Sequence, residues 1–132
     1  KLEETDASLI AGALRETEEE VGIHRQKINV LGALTDLYIP VSNFLVYPFV
    51  GFLPETPQFV PQISEVKSII ETPLELLQHP STVQQTNIPI PQGTLKNVPY
   101  YNVFGHIVWG ATAMMLSEFM TVLKNVPLPK NS

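Results

Sequence analysis

Apolar positions in this chain follow two different periods, and the change between them divides helix from strand. From residue 6 to residue 21 they recur every three or four positions. At about 100° per residue, Ile10, Leu14, Thr17 and Val21 gather on one stripe, which predicts a helix over 6–21. Thr5 or Asp6 is suited to cap its start, Gly12 admits a close neighbour, and Gly22 is placed to end it in a left-handed conformation. Further on the pattern shortens. Residues 28–37 read as a strand, and residues 43–53 (N-F-L-V-Y-P-F-V-G-F-L) are nearly all apolar, as in a strand buried on both faces. Pro48 inside that run predicts a bulge or a sheet edge.

A proline-spaced loop over 54–61 should lead to a short strand at 65–70, followed by a helical turn from Pro73 through Leu77. Residues 78–97 are polar and dotted with proline, with a hairpin candidate at 91–93. Two further strands are expected at 98–104 and 106–109. The helical period returns over 112–124, burying Leu116, Phe119, Met120 and Leu123, and the tail at 127–132 should be frayed. Alternating helices and strands in one chain of 132 residues predict a single mixed α/β domain with a sizeable core.

The polar side of the first helix holds the candidate chemistry. Glu19 and Glu20 fall about 60° behind and about 40° ahead of Glu16, so three carboxylates share one face. Glu18 points about 200° away and reads as an ordinary solvated residue. A run of glutamates on a helix is most often just a solvated face. Here, however, Arg15 sits between the acidic face and the apolar stripe, where its fork can hold a carboxylate in place. Crowded carboxylate oxygens form a hard ligand surface suited to Mg²⁺ or Mn²⁺, with nothing to choose between the two ions.

Composition removes several function classes. A hydrophobic content of 44% and a mean hydropathy of +0.10 fit a globular chain rather than a disordered one. The net charge of −5, with eight Lys and Arg, speaks against nucleic acid as a partner. With no cysteine, disulfides, thiolate metal sites and cysteine nucleophiles are excluded. No apolar run reaches membrane-spanning length. A cytoplasmic location is the resulting expectation, and the apolar 43–53 stretch could form part of a homodimer interface.

Residues 15–23, R-E-T-E-E-E-V-G-I, resemble the Nudix box, whose core is R-E-U-x-E-E-x-G-U with U a bulky aliphatic. Arg15, Glu16, Glu19, Glu20, Gly22 and Ile23 match, while Thr17 stands where an aliphatic is usual. The Gly-Gly pair that opens the box is not in the chain. The resemblance therefore implies the second part of a single Nudix domain over 1–132: an α/β/α sandwich with a mixed sheet whose first strands are missing. On that expectation this segment alone should be inactive and prone to associate.

The spacing before Arg15 is longer than usual. The acidic position normally found at Ala7 falls instead at Thr5, next to Asp6. Such a stretched box looks like the coenzyme A pyrophosphatase branch of the family. H-I-V-W-G-A-T-A-M at 106–114 is similar to that branch's W-G-x-T-A segment, and V-Y-P-F-V-G at 46–51 to its central strand. As structure, W-G-x-T-A reads as a strand-to-helix turn with Thr112 as cap.

The implied reaction is metal-assisted hydrolysis of the pyrophosphate in CoA, giving 4′-phosphopantetheine and 3′,5′-ADP. On this reading Glu16 and Glu20 are the first metal ligands, and Glu19 supports or bridges a second ion. Arg15 orients the carboxylates, and Glu65 is the candidate general base. The partner is a small CoA-like nucleoside diphosphate. ADP-ribose or a dinucleotide stays open as substrate, and so does a catalytically silent binding module. Among the remaining residues, His24 reads as surface near a helix C-terminus, His79 as loop and His106 as a marginal substrate contact. Tyr100 and Tyr101 could stack on adenine, although a Tyr pair in a strand more often splits between core and surface. Met114, Met115 and Met120 read as core packing.

Overall fold

The computed structural model describes residue 3 and residues 6–126. It is an α+β protein, built from helices and antiparallel strand pairs. The chain divides into two compact units between Glu71 and Thr72.

The first unit opens with helix α1, Leu9–Val21. It starts later than the apolar period predicts, and the cap is Ser8, whose hydroxyl accepts from the Ala11 N–H at 3.1 Å. Asp6 is not the cap because its carboxylate is committed to Arg15, and Thr5 lies outside the described residues. Gly12 is the buried residue of α1, whereas Ile10, within the predicted stripe, is exposed. Gly22 ends the helix at φ 75°, ψ 22°, a left-handed cap whose N–H reaches the Glu18 carbonyl at 3.0 Å.

Four short strands follow: β1 (Asn29–Ala33), β2 (Leu37–Ile39), β3 (Phe44–Val46) and β4 (Phe49–Phe52). β1 pairs with β4 and β2 with β3, both antiparallel, and the β1–β4 register shifts between Val30 and Gly32. The strand expected over 28–37 is thus two strands with a break between them. The long apolar strand expected over 43–53 is divided as well. Proline at position 48 has no N–H to donate, so the run breaks there, although its carbonyl still accepts from the Leu34 N–H at 2.9 Å. Nor is the run buried on both faces: Phe44 is 56% exposed and Phe52 51%. The strand expected over 65–70 does not form. Residues 63–65 turn instead, with the Glu65 and Val66 N–H groups both donating to the Gln62 carbonyl.

The second unit contains α2 (Leu74–Gln78), the three-stranded antiparallel sheet β5 (Val83–Ile90), β6 (Gly93–Val103) and β7 (His106–Val108), and α3 (Gly110–Lys124). Among the described residues every strand pairing is antiparallel, so the parallel component of a mixed sheet has no counterpart there. The proline-dotted segment at 78–97 is mostly strand. Pro89 lies on edge strand β5, and Pro99 on a part of β6 that β7 does not reach, so neither needs to donate on its open side.

Leu77, Tyr101, Val103 and Met120 form the core of this unit, with Leu116, Phe119 and Leu123 packed against it. Tyr101 is buried while the Tyr100 hydroxyl donates to Gln84 Oε1 at 2.9 Å, so the pair does split. Met114 departs from the expected core packing and is 58% exposed. Thr112 is no cap. α3 begins at Gly110, whose φ of 68° suits glycine, after Trp109 as N-cap without a side-chain bond. Among the described residues no helix is long and apolar enough to cross a membrane.

Candidate active site

Arg15 organises the acidic face of α1 from the inside. Its side chain is 12% exposed and that of Asp6 only 5%. The Arg15 Nε and Nη2 groups donate to the two Asp6 oxygens at 2.9 and 3.0 Å, a bidentate fork that fixes the guanidinium plane. That plane then directs Nη1 at Glu19 Oε2, 3.0 Å away, and sets Nη2 3.7 Å from Glu16 Oε1. Glu3 completes the surround, its N–H donating to Asp6 Oδ2 at 2.8 Å and its carboxylate 3.4 Å from Arg15 Nε. The Arg15 bond and then the Glu3 N–H hold the Asp6 carboxyl below its usual range, while Asp6 raises Arg15 further.

Asp6 is the organising residue that periodicity hides, because its partner lies nine positions away, beyond the start of the helix. Glu18 is also more than a solvated residue. Its Oε2 accepts from the Arg25 N–H at 2.9 Å and from Arg25 Nε at 3.2 Å, tying α1 to the 3₁₀ turn Arg25–Lys27. Those two bonds, the backbone one first, lower the Glu18 carboxyl below its usual range.

The second wall of the site is a strap running along the C-terminal end of α1. The Val60 N–H donates to the Val21 carbonyl and the Gln62 N–H to the Glu20 carbonyl, both at 2.8 Å. These bonds satisfy carbonyls that a helix end otherwise leaves open. Gly22 lets the strap approach: a Cβ there would stand 2.7 Å from Val60 Cβ and 3.0 Å from the Val60 carbonyl oxygen. The turn after Gln62 then brings Ser64 and Glu65 to the same place. The result is a solvent-open cavity of about 700 Å³ lined by Glu3, Arg15, Glu16, Glu19, Glu20, Gln62, Ser64 and Glu65.

Glu16, Glu19, Glu20, Arg15 and Glu65 therefore share one cavity, and Gln62 and Ser64 join them without any motif having marked them. Their backbone turn, rather than a residue pattern, puts them there. His24 is exposed at the start of the 3₁₀ turn, and His79 accepts from the Ser81 N–H through Nδ1 at 3.2 Å. His106 is exposed at the first position of β7, in the second unit.

Among the described residues lining this cavity, the side chains able to ligate a cation offer oxygens, which suits Mg²⁺ or Mn²⁺. Among the described residues, no three acidic or histidine side chains already stand close enough to hold an ion. Arg15 draws Glu19 to itself, so a cation engaging Glu19 would have to compete with that pair.

The Asp6–Arg15 fork carries a pH prediction. A carboxyl that titrates lower in the folded state contributes stability above the unfolded aspartate range. That contribution is lost as pH falls through the folded value. Glu18 acts in the same direction. Thermal melting from pH 7 down to about 3 should therefore fall less steeply for Asp6→Asn than for the wild type. Parallel curves would remove the assigned role of Asp6.

No family model matches the chain. A protein of Photorhabdus laumondii named "Uncharacterized Nudix hydrolase NudL" is 37% identical over 113 residues, covering 86% of this chain and 59% of that protein. A protein of the same name from Salmonella paratyphi B is 37% identical over 122 residues, covering 89% of this chain and 60% of its own length. The chain thus spans about three fifths of the length of the curated relatives it matches.

Proposed function

Because the chain belongs to the Nudix hydrolase family, we propose that its acidic cavity serves metal-dependent hydrolysis of a pyrophosphate bond, with CoA or a CoA derivative as substrate. The observation that supports this best is the single cavity lined by Glu16, Glu19 and Glu20 from one helix and Glu65 from the facing strap. Two anionic partners, a phosphoanhydride and an incoming water stripped of its proton, repel each other. A bound Mg²⁺ or Mn²⁺ supplies charge neutralisation and a more acidic water.

The chain's own residues have separable tasks. Glu16 and Glu20, one helical turn apart, would hold the ion. Glu19 stands ready beside them on Arg15 and would support them or a second ion. Arg15, fixed by Asp6, keeps the carboxylates in register and offsets part of their mutual repulsion. Glu65, exposed on its turn, would accept the proton of the attacking water. Preference for CoA rests on the stretched spacing before Arg15 and on W-G-x-T-A at 109–113. A second cleft, of about 370 Å³, shares Glu16 with the acidic cavity and is otherwise bounded by Leu9, Gly12, Ala13 and residues 44–47. It leaves room beside the carboxylates for a substituent on the diphosphate.

The test is a product assay on the intact protein with CoA, ADP-ribose and diadenosine polyphosphates in parallel. The expected outcome is 4′-phosphopantetheine and 3′,5′-ADP from CoA at the highest kcat/KM. Preference for ADP-ribose or a dinucleotide would move the substrate assignment while leaving the reaction class in place.

A further inference from the structure

The acidic cavity poses a donor problem. A diphosphate entering it needs hydrogen-bond donors for oxygens that a cation does not cover, yet most of the lining side chains are carboxylates. Arg15 is the obvious donor, but three of its five N–H groups are already given to Asp6 and Glu19, and the plane is fixed on them. Among the described residues lining the cavity, the uncharged side-chain donors stand on the strap, at Gln62 and Ser64.

Gln62 is the better placed of the two. Its backbone N–H is fixed on the Glu20 carbonyl at 2.8 Å, so its Cα keeps a set distance from the carboxylate helix. Its side-chain amide carries two N–H groups, and the contact to Ser64 Oγ, 3.3 Å long, uses one of them weakly. The side chain is exposed in the cavity and contributes nothing to a core, so its removal leaves the fold alone.

We propose that Gln62 is a substrate-positioning residue, its side-chain amide donating to a non-bridging oxygen of the bound diphosphate opposite Glu16 and Glu20. This assignment rests on the pyrophosphatase reading of the cavity. A neutral amide suits the position better than a cation would. Lysine or arginine there would pair with the five glutamates of the cavity and compete for the metal, whereas an amide adds a donor without adding charge.

Binding separates this inference from the reaction itself. The probe is α,β-methylene-ADP with Mg²⁺, a diphosphate that cannot be cleaved at its bridge, titrated calorimetrically into the intact protein. Gln62→Ala should weaken binding by on the order of tenfold or more, the value of one hydrogen bond to a charged acceptor, and Gln62→Glu should weaken it further by repulsion. Mn²⁺ affinity of Gln62→Ala, measured without nucleotide, should stay unchanged. With a hydrolysable substrate the same variant should raise KM more than it lowers kcat, since the contact exists before the chemistry begins. Equal probe affinity in wild type and Gln62→Ala overturns the assignment. Wild-type protein that binds the probe but cleaves no diphosphate sinks the proposed reaction and leaves Gln62 standing. Wild-type protein that does not bind the probe overturns both.

Discussion

Glu20→Gln is expected to lower turnover of the intact protein by on the order of a hundredfold or more while leaving its melting temperature nearly unchanged. The substitution keeps the shape of a half-buried side chain and removes only its charge. The structural work done at position 20 belongs to the backbone, whose carbonyl accepts from the Gln62 N–H, and the substitution does not touch that bond. Glu20 also differs from Glu19, which Arg15 already engages, so the charge lost at position 20 is one the proposed metal site depends on. Kinetics in saturating Mg²⁺ beside a thermal melt check this. Near-normal turnover would show that Glu20 is not a principal ligand.

Gly22→Ala should damage both stability and activity. At φ 75° an alanine adopts a backbone conformation that costs about 1–2 kcal/mol. Its Cβ would also meet Val60 Cβ at 2.7 Å and the Val60 carbonyl oxygen at 3.0 Å. Two of the three nearest atoms are backbone, so no rotamer change relieves the contact and the strap itself must move. Moving it strains the Val60 and Gln62 bonds to the end of α1 and carries Glu65 out of its place opposite Glu16 and Glu20. Turnover should drop tenfold or more, since misplacement of about 1 Å can cost a hundredfold. Mn²⁺ affinity, which depends mainly on one turn of α1, should change far less. A variant with wild-type turnover would show that the strap does not position catalytic groups.

The acidic face of α1 was legible because i, i+3, i+4 spacing is a property of the helix itself and survives any tertiary context. The helix start was not, since Asp6 and Ser8 are both capable caps and only the buried position of Arg15 decides between them. Composition overstates the 43–53 strand: its apolar residues predict one element, and the missing N–H of Pro48 divides it. The hairpin expected at 91–93 is there, but its arms are longer than a polar, proline-dotted stretch announces: Val83, Thr86, Ile88 and Ile90 favour extended backbone, Pro89 lies on an edge strand and Pro91 in the turn. Glu65 lies beyond the helix on a turn, where the sequence predicts the start of a strand. What brings it to the cavity is a turn fixed by two N–H groups on one carbonyl, and no residue pattern announces that.

The measurement that bears most directly on the central claim is ³¹P NMR of CoA incubated with the intact protein, with Mg²⁺ and again with excess chelator. With metal, the diphosphate resonances should decay and new phosphomonoester resonances should appear, those of 4′-phosphopantetheine and of the 5′-phosphate of 3′,5′-ADP. Chelation should stop the decay, and Glu20→Gln should nearly stop it with metal present. Diphosphate resonances that persist unchanged in the wild type with Mg²⁺, or that decay equally under chelation, would contradict the account.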